Sequence, residues 1–240
     1  MTTKPGLIRR WLVVTGIVSV AAAGLWMALE WTSHPRQTST PPSQAVDVEA
    51  IRAKAELGDV QAQAQLGRLC ESQQSAADRY VQAAKWFEEA AARGNADAQA
   101  GLAELYEAGQ GVRKDLAKAI ELYRLAAAQG HPGAQYALGF AFETGRGIQQ
   151  DQAQAAKWFR LAADQGLPVA QYDLGQRYDL GVGVSQDRIE ALKWLMLAAA
   201  QGQPDAATRR DTLKKQMTRE DIAHAARLVE TFARNRPGGR

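Results

Sequence analysis

From Val46 onward, apolar side chains fall at helical spacing, and the whole pattern returns every 36 residues. Between His131 and Gly166, Ala134, Leu138 and Phe142 recur at four-residue steps, with Gln135 and Gly139 beside them on the same face. That spacing predicts an amphipathic helix of about three turns. Pro132 suits its first turn, where a missing N–H costs nothing. Gly145-Arg146-Gly147 breaks it. Asp151 can then cap a second helix through its side-chain oxygen. Ala155, Phe159, Ala162 and Ala163 form the apolar face of that helix, joined by Trp158, and Gly166 ends it in the left-handed position that favours glycine.

The same slots are filled in the other copies. Gly58, Gly94, Gly130, Gly166 and Gly202 keep the step, as do Ala62, Ala98, Ala134, Ala170 and Ala206, and Leu66, Leu102, Leu138 and Leu174. A shared period of this length means one structural unit copied and stacked. The Gly-x-Gly break returns at Gly109 and Gly111 and at Gly181 and Gly183, while the first unit lacks it between Ser72 and Ser75. Val46 to Leu57 reads as a lone second helix leading in, and Ala206 to Gln216 as a lone first helix leading out. Thr218 can cap a last helix with Ile222, Ala226, Val229 and Phe232 on one side. Solenoid ends need such caps, because their last apolar face has no neighbour. The predicted fold is all-α: an α-α superhelix of about four helix-turn-helix repeats over residues 46–205, capping helices over 206–233, and a tail from 234 to 240.

The recurring pattern is Ala-Gln, Leu-Gly, an aromatic, Gly-x-Gly-Val/Ile, Asp, Ala, Trp, and Ala-Ala followed by Gly. It resembles the Sel-one-like repeat family, a relative of the tetratricopeptide repeat with a slightly longer period. The resemblance covers roughly residues 46–235. It implies an α-α superhelix acting as an adaptor in membrane-associated complexes, as in eukaryotic lumenal adaptors and many bacterial envelope and signalling proteins. One bacterial branch carries a disulfide in each repeat and is linked to β-lactam binding. This chain departs from that branch, since Cys70 is its only cysteine. Cys70 shares a slot with Tyr106, Phe142 and Tyr178 and reads as a small core residue.

Ahead of the array the pattern changes. Trp11 to Leu29 holds 19 residues without a charge, enough as a helix for roughly 28 Å of a ~30 Å hydrocarbon layer. Lys4, Arg9 and Arg10 precede the run, which places residues 1–10 in the cytoplasm and the array outside. Residues 11–31 are thus expected to be a single-pass anchor in the cytoplasmic membrane. The alternative is a cleaved signal peptide, with Ala21-Ala22-Ala23 as the small residues and a soluble periplasmic product. Residues 32–45 hold three prolines, three threonines and three serines, and read as an extended linker.

Charge and chemistry narrow the function classes. Net charge is +3 over residues 1–45, −5 over 46–205 and +5 over 206–240. The basic end reads as a solvated cap face, and no nucleic-acid partner is expected. Gly-x-Gly without a preceding strand or a Gly-Lys-Ser/Thr ending is no phosphate loop. His34, His131 and His224 share no ligand spacing, so no metal, cofactor or catalytic residue is expected. Trp86, Trp158 and Trp194 share one slot and read as inter-helix core, with a large stability loss on truncating Trp158.

Binding candidates lie where the copies differ. Tyr136 and Phe140 point away from the Leu138–Phe142 stripe, and Tyr172 repeats the first of them. First helices of α-solenoids tend to line the concave surface. Tyr136, Phe140 and Tyr172 are therefore the expected partner contacts, with Glu104, Glu107, Glu143 and Asp179 as an acidic surround. The expected function is a non-enzymatic protein-binding adaptor or scaffold taking a protein or peptide on that face. The alternative is a periplasmic cell-wall-associated or hydrolytic repeat protein that binds glycan or peptide.

Overall fold

The computed structural model describes residues 47–72 and 78–235. The expected membrane segment (11–31), the linker (32–45), the stretch after Ser72 and the end of the tail lie outside these. Among the described residues there are eleven helices and no strand. The first helix of each repeat is α2 (Val60–Ser72), α4 (Ala96–Ala108), α6 (Pro132–Thr144) and α8 (Pro168–Leu180). The second helices are α3 (Arg79–Ala92), α5 (Leu116–Ala128), α7 (Gln152–Asp164) and α9 (Arg188–Ala200). Helix α1 (Val48–Glu56) leads in, and α10 (Ala206–Lys214) and α11 (Arg219–Asn235) close the far end. Each helix packs on its predecessor, from α1 through α10, and α11 folds back onto α9.

Local chemistry fixes the helix ends. Asp151 Oδ1 accepts from the Ala153 and Gln154 amides, and Asp187 does the same for Ile189 and Glu190. Such a cap satisfies N–H groups that have no partner inside the helix. His131 caps α6 differently, its Nδ1 accepting from the Ala134 amide at 3.0 Å. At the other end of α7, Gly166 takes φ +89°. The turn there lets Leu167 N–H reach back to the Ala162 carbonyl at 3.1 Å. Thr218 Oγ1 accepts from the Asp221 amide at 3.1 Å, which starts α11.

Alanine and leucine rows line the core, where Ala98, Ala134, Ala170, Leu138 and Leu174 are fully buried. Phe87, Phe159 and Leu195, one slot beyond the tryptophans, are fully buried as well. The Leu-Gly pair explains how they fit. A Cβ at Gly139 would fall 2.7 Å from the Phe159 ring, so glycine lets α6 and α7 close on that ring. Trp194 is fully buried, but Trp86 and Trp158 only flank the core, half-buried. Expecting one core role for all three overlooked what covers the last one. Phe232 of α11 meets the Trp194 ring edge-on, 5.3 Å between centroids.

A polar row runs through this core. Gln63, Gln99, Gln135 and Gln171 are buried, and each Nε2 donates to a carbonyl in the last turn of the preceding second helix, at 3.2–3.4 Å. Each of these carbonyls also accepts the amide of the glycine that ends its helix, so the glutamine is its second donor. The Ala-Gln pair thereby ties each repeat to the one before.

Candidate protein-interaction face

The first helices are linked sideways by polar pairs. Arg68 on α2 meets Glu104 on α4 at 2.8 Å. Asp97 on α4 lies 3.4 Å from His131 Nε2 at the cap of α6. Tyr136 on α6 donates to Asp173 on α8 at 2.9 Å, and Arg177 on α8 reaches back to Glu143 on α6. Helices α2 and α4 also touch directly.

Charge is divided between the two rows. The four first helices of the array carry seven acidic and two basic side chains, while α3, α5, α7 and α9 carry five and eight. The first helices are therefore net acidic and the second helices net basic.

Among the expected contact residues, Phe140 stands 41% exposed. Tyr136 is half-buried, its ring 5.3 Å from Phe159 and its hydroxyl committed to Asp173. Burial, with Asp173 beside it, holds its phenol above the ordinary range. Tyr172 is half-buried against the Leu192 and Leu195 cluster, toward the C-terminal cap. Glu104 pairs with Arg68. Glu107 accepts from Tyr123 at 2.9 Å and pairs with Arg146 at 3.1 Å. Asp179 lies half-buried near the end of α8, where its carbonyl accepts from Gln186. The fold thus joins Tyr136 and Glu143 in one network across α6 and α8. It leaves Glu104 and Glu107 at earlier junctions and turns Tyr172 toward the cap.

Sequence reasoning missed the other half of that network. Arg177 is only 4% exposed. It donates to Gln152 at 3.0 Å and to Glu143, and its guanidinium lies 4.8 Å from the Phe159 ring centroid. The signal was available: its slot holds Leu69, Leu105 and Ala141 in the other copies. Asp173 is the matching departure, in a slot otherwise held by Gln65, Gly101 and Ala137. Burial raises its carboxyl above the usual range, and nearby Glu143 adds to the rise. Glu143, Asp173, Gln176, Arg177, Leu180 and Val182 line a groove of about 150 Å³. Leu180 and Val182 are 61% and 37% exposed there. Among the described residues no group of three His, Cys, Asp or Glu could hold a metal ion.

Stacked helix pairs joined by glycine turns, closed by a cap and presenting one charged face, define an α-solenoid of short helical repeats. The Sel1 repeat model matches residues 60–95, 96–131, 132–167 and 168–203, and the chain belongs to the Sel1 repeat family. The fold of this family is typically a protein-interaction scaffold. A Sel1 repeat protein from Oxalobacter formigenes is similar at 35% identity over 69% of this chain and 48% of its own, with a TM-score of 0.62. A protective antigen of uropathogenic Escherichia coli displaying an SLR fold is 31% identical over 78% of this chain and 48% of its own, with a TM-score of 0.53. The matches thus cover about half the length of either structure. No curated protein matches the chain.

Proposed function

We propose that this chain is a non-enzymatic scaffold that holds a protein or peptide partner on the face lined by its first helices. The observation that carries this reading is the charge division, with an exposed phenylalanine on the acidic side. α-Solenoids bind along extended curved surfaces, and a face of one sign steers and orients a partner of the other. The uncharged run from Trp11 to Leu29, behind Lys4, Arg9 and Arg10, supports anchoring in the cytoplasmic membrane with the array outside, or periplasmic release after cleavage.

The test is a crosslinking pull-down from membranes with the full chain. Phe140→Asp is expected to lose the captured partner. Leu161→Asp, a 46% exposed position on second helix α7, is expected to keep it. The opposite pattern, with both variants folded, would move the binding face to the second helices.

A further inference from the structure

We propose, building on the scaffold reading above, that the groove between α6 and α8 is a socket for one lysine or arginine side chain of the partner. Its two carboxylates are half committed. Glu143 Oε1 is held by Arg177 and Asp173 Oδ2 by Tyr136, which leaves one oxygen on each for a donor from outside. Arg177 offsets only one of the two negative charges. The space of about 150 Å³ takes a long, thin side chain rather than a helix or a ring system. Leu180 and Val182 give an apolar wall for its methylene stem, the way long cations cover apolar surface while their head stays polar.

The socket is held rigid from inside the array. Arg177 is anchored by Glu143, Gln152 and the Phe159 ring, so the Glu143 carboxylate is fixed before any partner arrives. Tyr136 fixes Asp173 in the same way. Held acceptors on two carboxylates favour a donor with several N–H groups in fixed directions, which a guanidinium has. The raised carboxyl of Asp173 fits this picture, because an incoming cation would favour its charged form and so offset the burial and the Glu143 repulsion that raise it. The pair is also peculiar to this junction. One repeat earlier the Asp173 slot is Ala137 and the Arg177 slot is Ala141, so a partner meets one such socket and gains a fixed register.

The test is an NMR titration of the labelled full chain in detergent with N-acetyl-arginine amide, its neutral isostere N-acetyl-citrulline amide, and N-acetyl-glutamate amide. Arginine is expected to shift the Gln176, Leu180 and Val182 amides saturably and to bind at least tenfold more tightly than citrulline. Asp173→Asn, which still accepts from Tyr136, is expected to weaken arginine at least tenfold. Gln176→Arg, which puts a guanidinium at the groove, is expected to abolish the shifts, and Glu121→Gln, at an exposed position on second helix α5, to leave them unchanged. Equal binding of citrulline, shifts centred elsewhere, or full affinity in folded Asp173→Asn would overturn the socket. If those results came while Phe140→Asp still lost its captured partner, the face would stand and the socket fall. Saturable arginine binding with the partner retained by Phe140→Asp would leave the socket and remove the face.

Discussion

Gln63 lacks a partner that its three copies possess. The Oε1 atoms of Gln99, Gln135 and Gln171 accept from Gln129, Gln165 and Gln201 at 2.7–2.8 Å. In the first unit that donor slot holds Arg93, which turns to the Gly58 carbonyl. Gln63 Oε1 is left buried and unpaired. An unsatisfied buried acceptor costs about 1–3 kcal/mol. Gln165 shows that one glutamine can serve both sites, since its Nε2 meets the Gly130 carbonyl and Gln135 together. Arg93→Gln is therefore expected to stabilise the array by about 1 kcal/mol in chemical denaturation. A neutral or destabilising result would mean that solvent already reaches Gln63. None of this could be read from residue types alone. The sequence shows a glutamine in a repeated slot, but which atom goes unpaired depends on where the neighbouring repeat's side chain ends.

Glycines of the turns carry different loads at the level of helices, though all lie at φ near +70 to +90°. A Cβ at Gly130 would meet nothing within 4 Å. A Cβ at Gly183 would land on the Gln152 carbonyl at the start of α7. The second glycine of Gly-x-Gly is thus where one repeat's turn rests on the previous repeat's second helix. Gly130→Ala is expected to cost about 1–2 kcal/mol, the left-handed penalty alone. Gly183→Ala should cost clearly more, because backbone must move as well, and thermal melts of the two would rank them. The tryptophan slot divides in a similar way. Trp194 is sealed by Phe232 and donates to Glu190 at 2.9 Å, so Trp194→Ala is expected to lose about 3–5 kcal/mol. Half-buried Trp158 should lose about half of that. Equal losses would show that α11 adds nothing at its end of the array. The helices and their caps were legible because capping and spacing are local. The unequal burial of one slot was not, because it depends on a helix that folds back from more than thirty residues later.

Stacking by nearest neighbours makes a strong claim about the whole molecule: a repeat removed in register should leave a shorter solenoid that still folds. Deleting residues 96–131 would join the first unit to the third with every cap and glycine slot in phase. The copies are not interchangeable at one point. Phe87 now packs against Gly101, where a Cβ would fall 2.7 Å from its ring. After the deletion it would face the methyl group of Ala137, the same slot one repeat on. Overpacking of this kind costs about 1–3 kcal/mol. In the intact chain, Ala137→Gly should destabilise by about 1 kcal/mol, the ordinary price of a helical glycine. In the deleted chain the same change should be stabilising, because it makes room for Phe87. Denaturation of the four proteins would show the reversal of sign, and a uniform destabilisation would reject the contact as the limiting one. The deletion also separates the two layers of the functional reading. It removes Glu104 and Glu107 but keeps Tyr136 with Asp173 and Glu143 with Arg177. If the partner is registered by the groove between α6 and α8, the shortened chain should still capture it, with an affinity lowered only by the lost acidic surround.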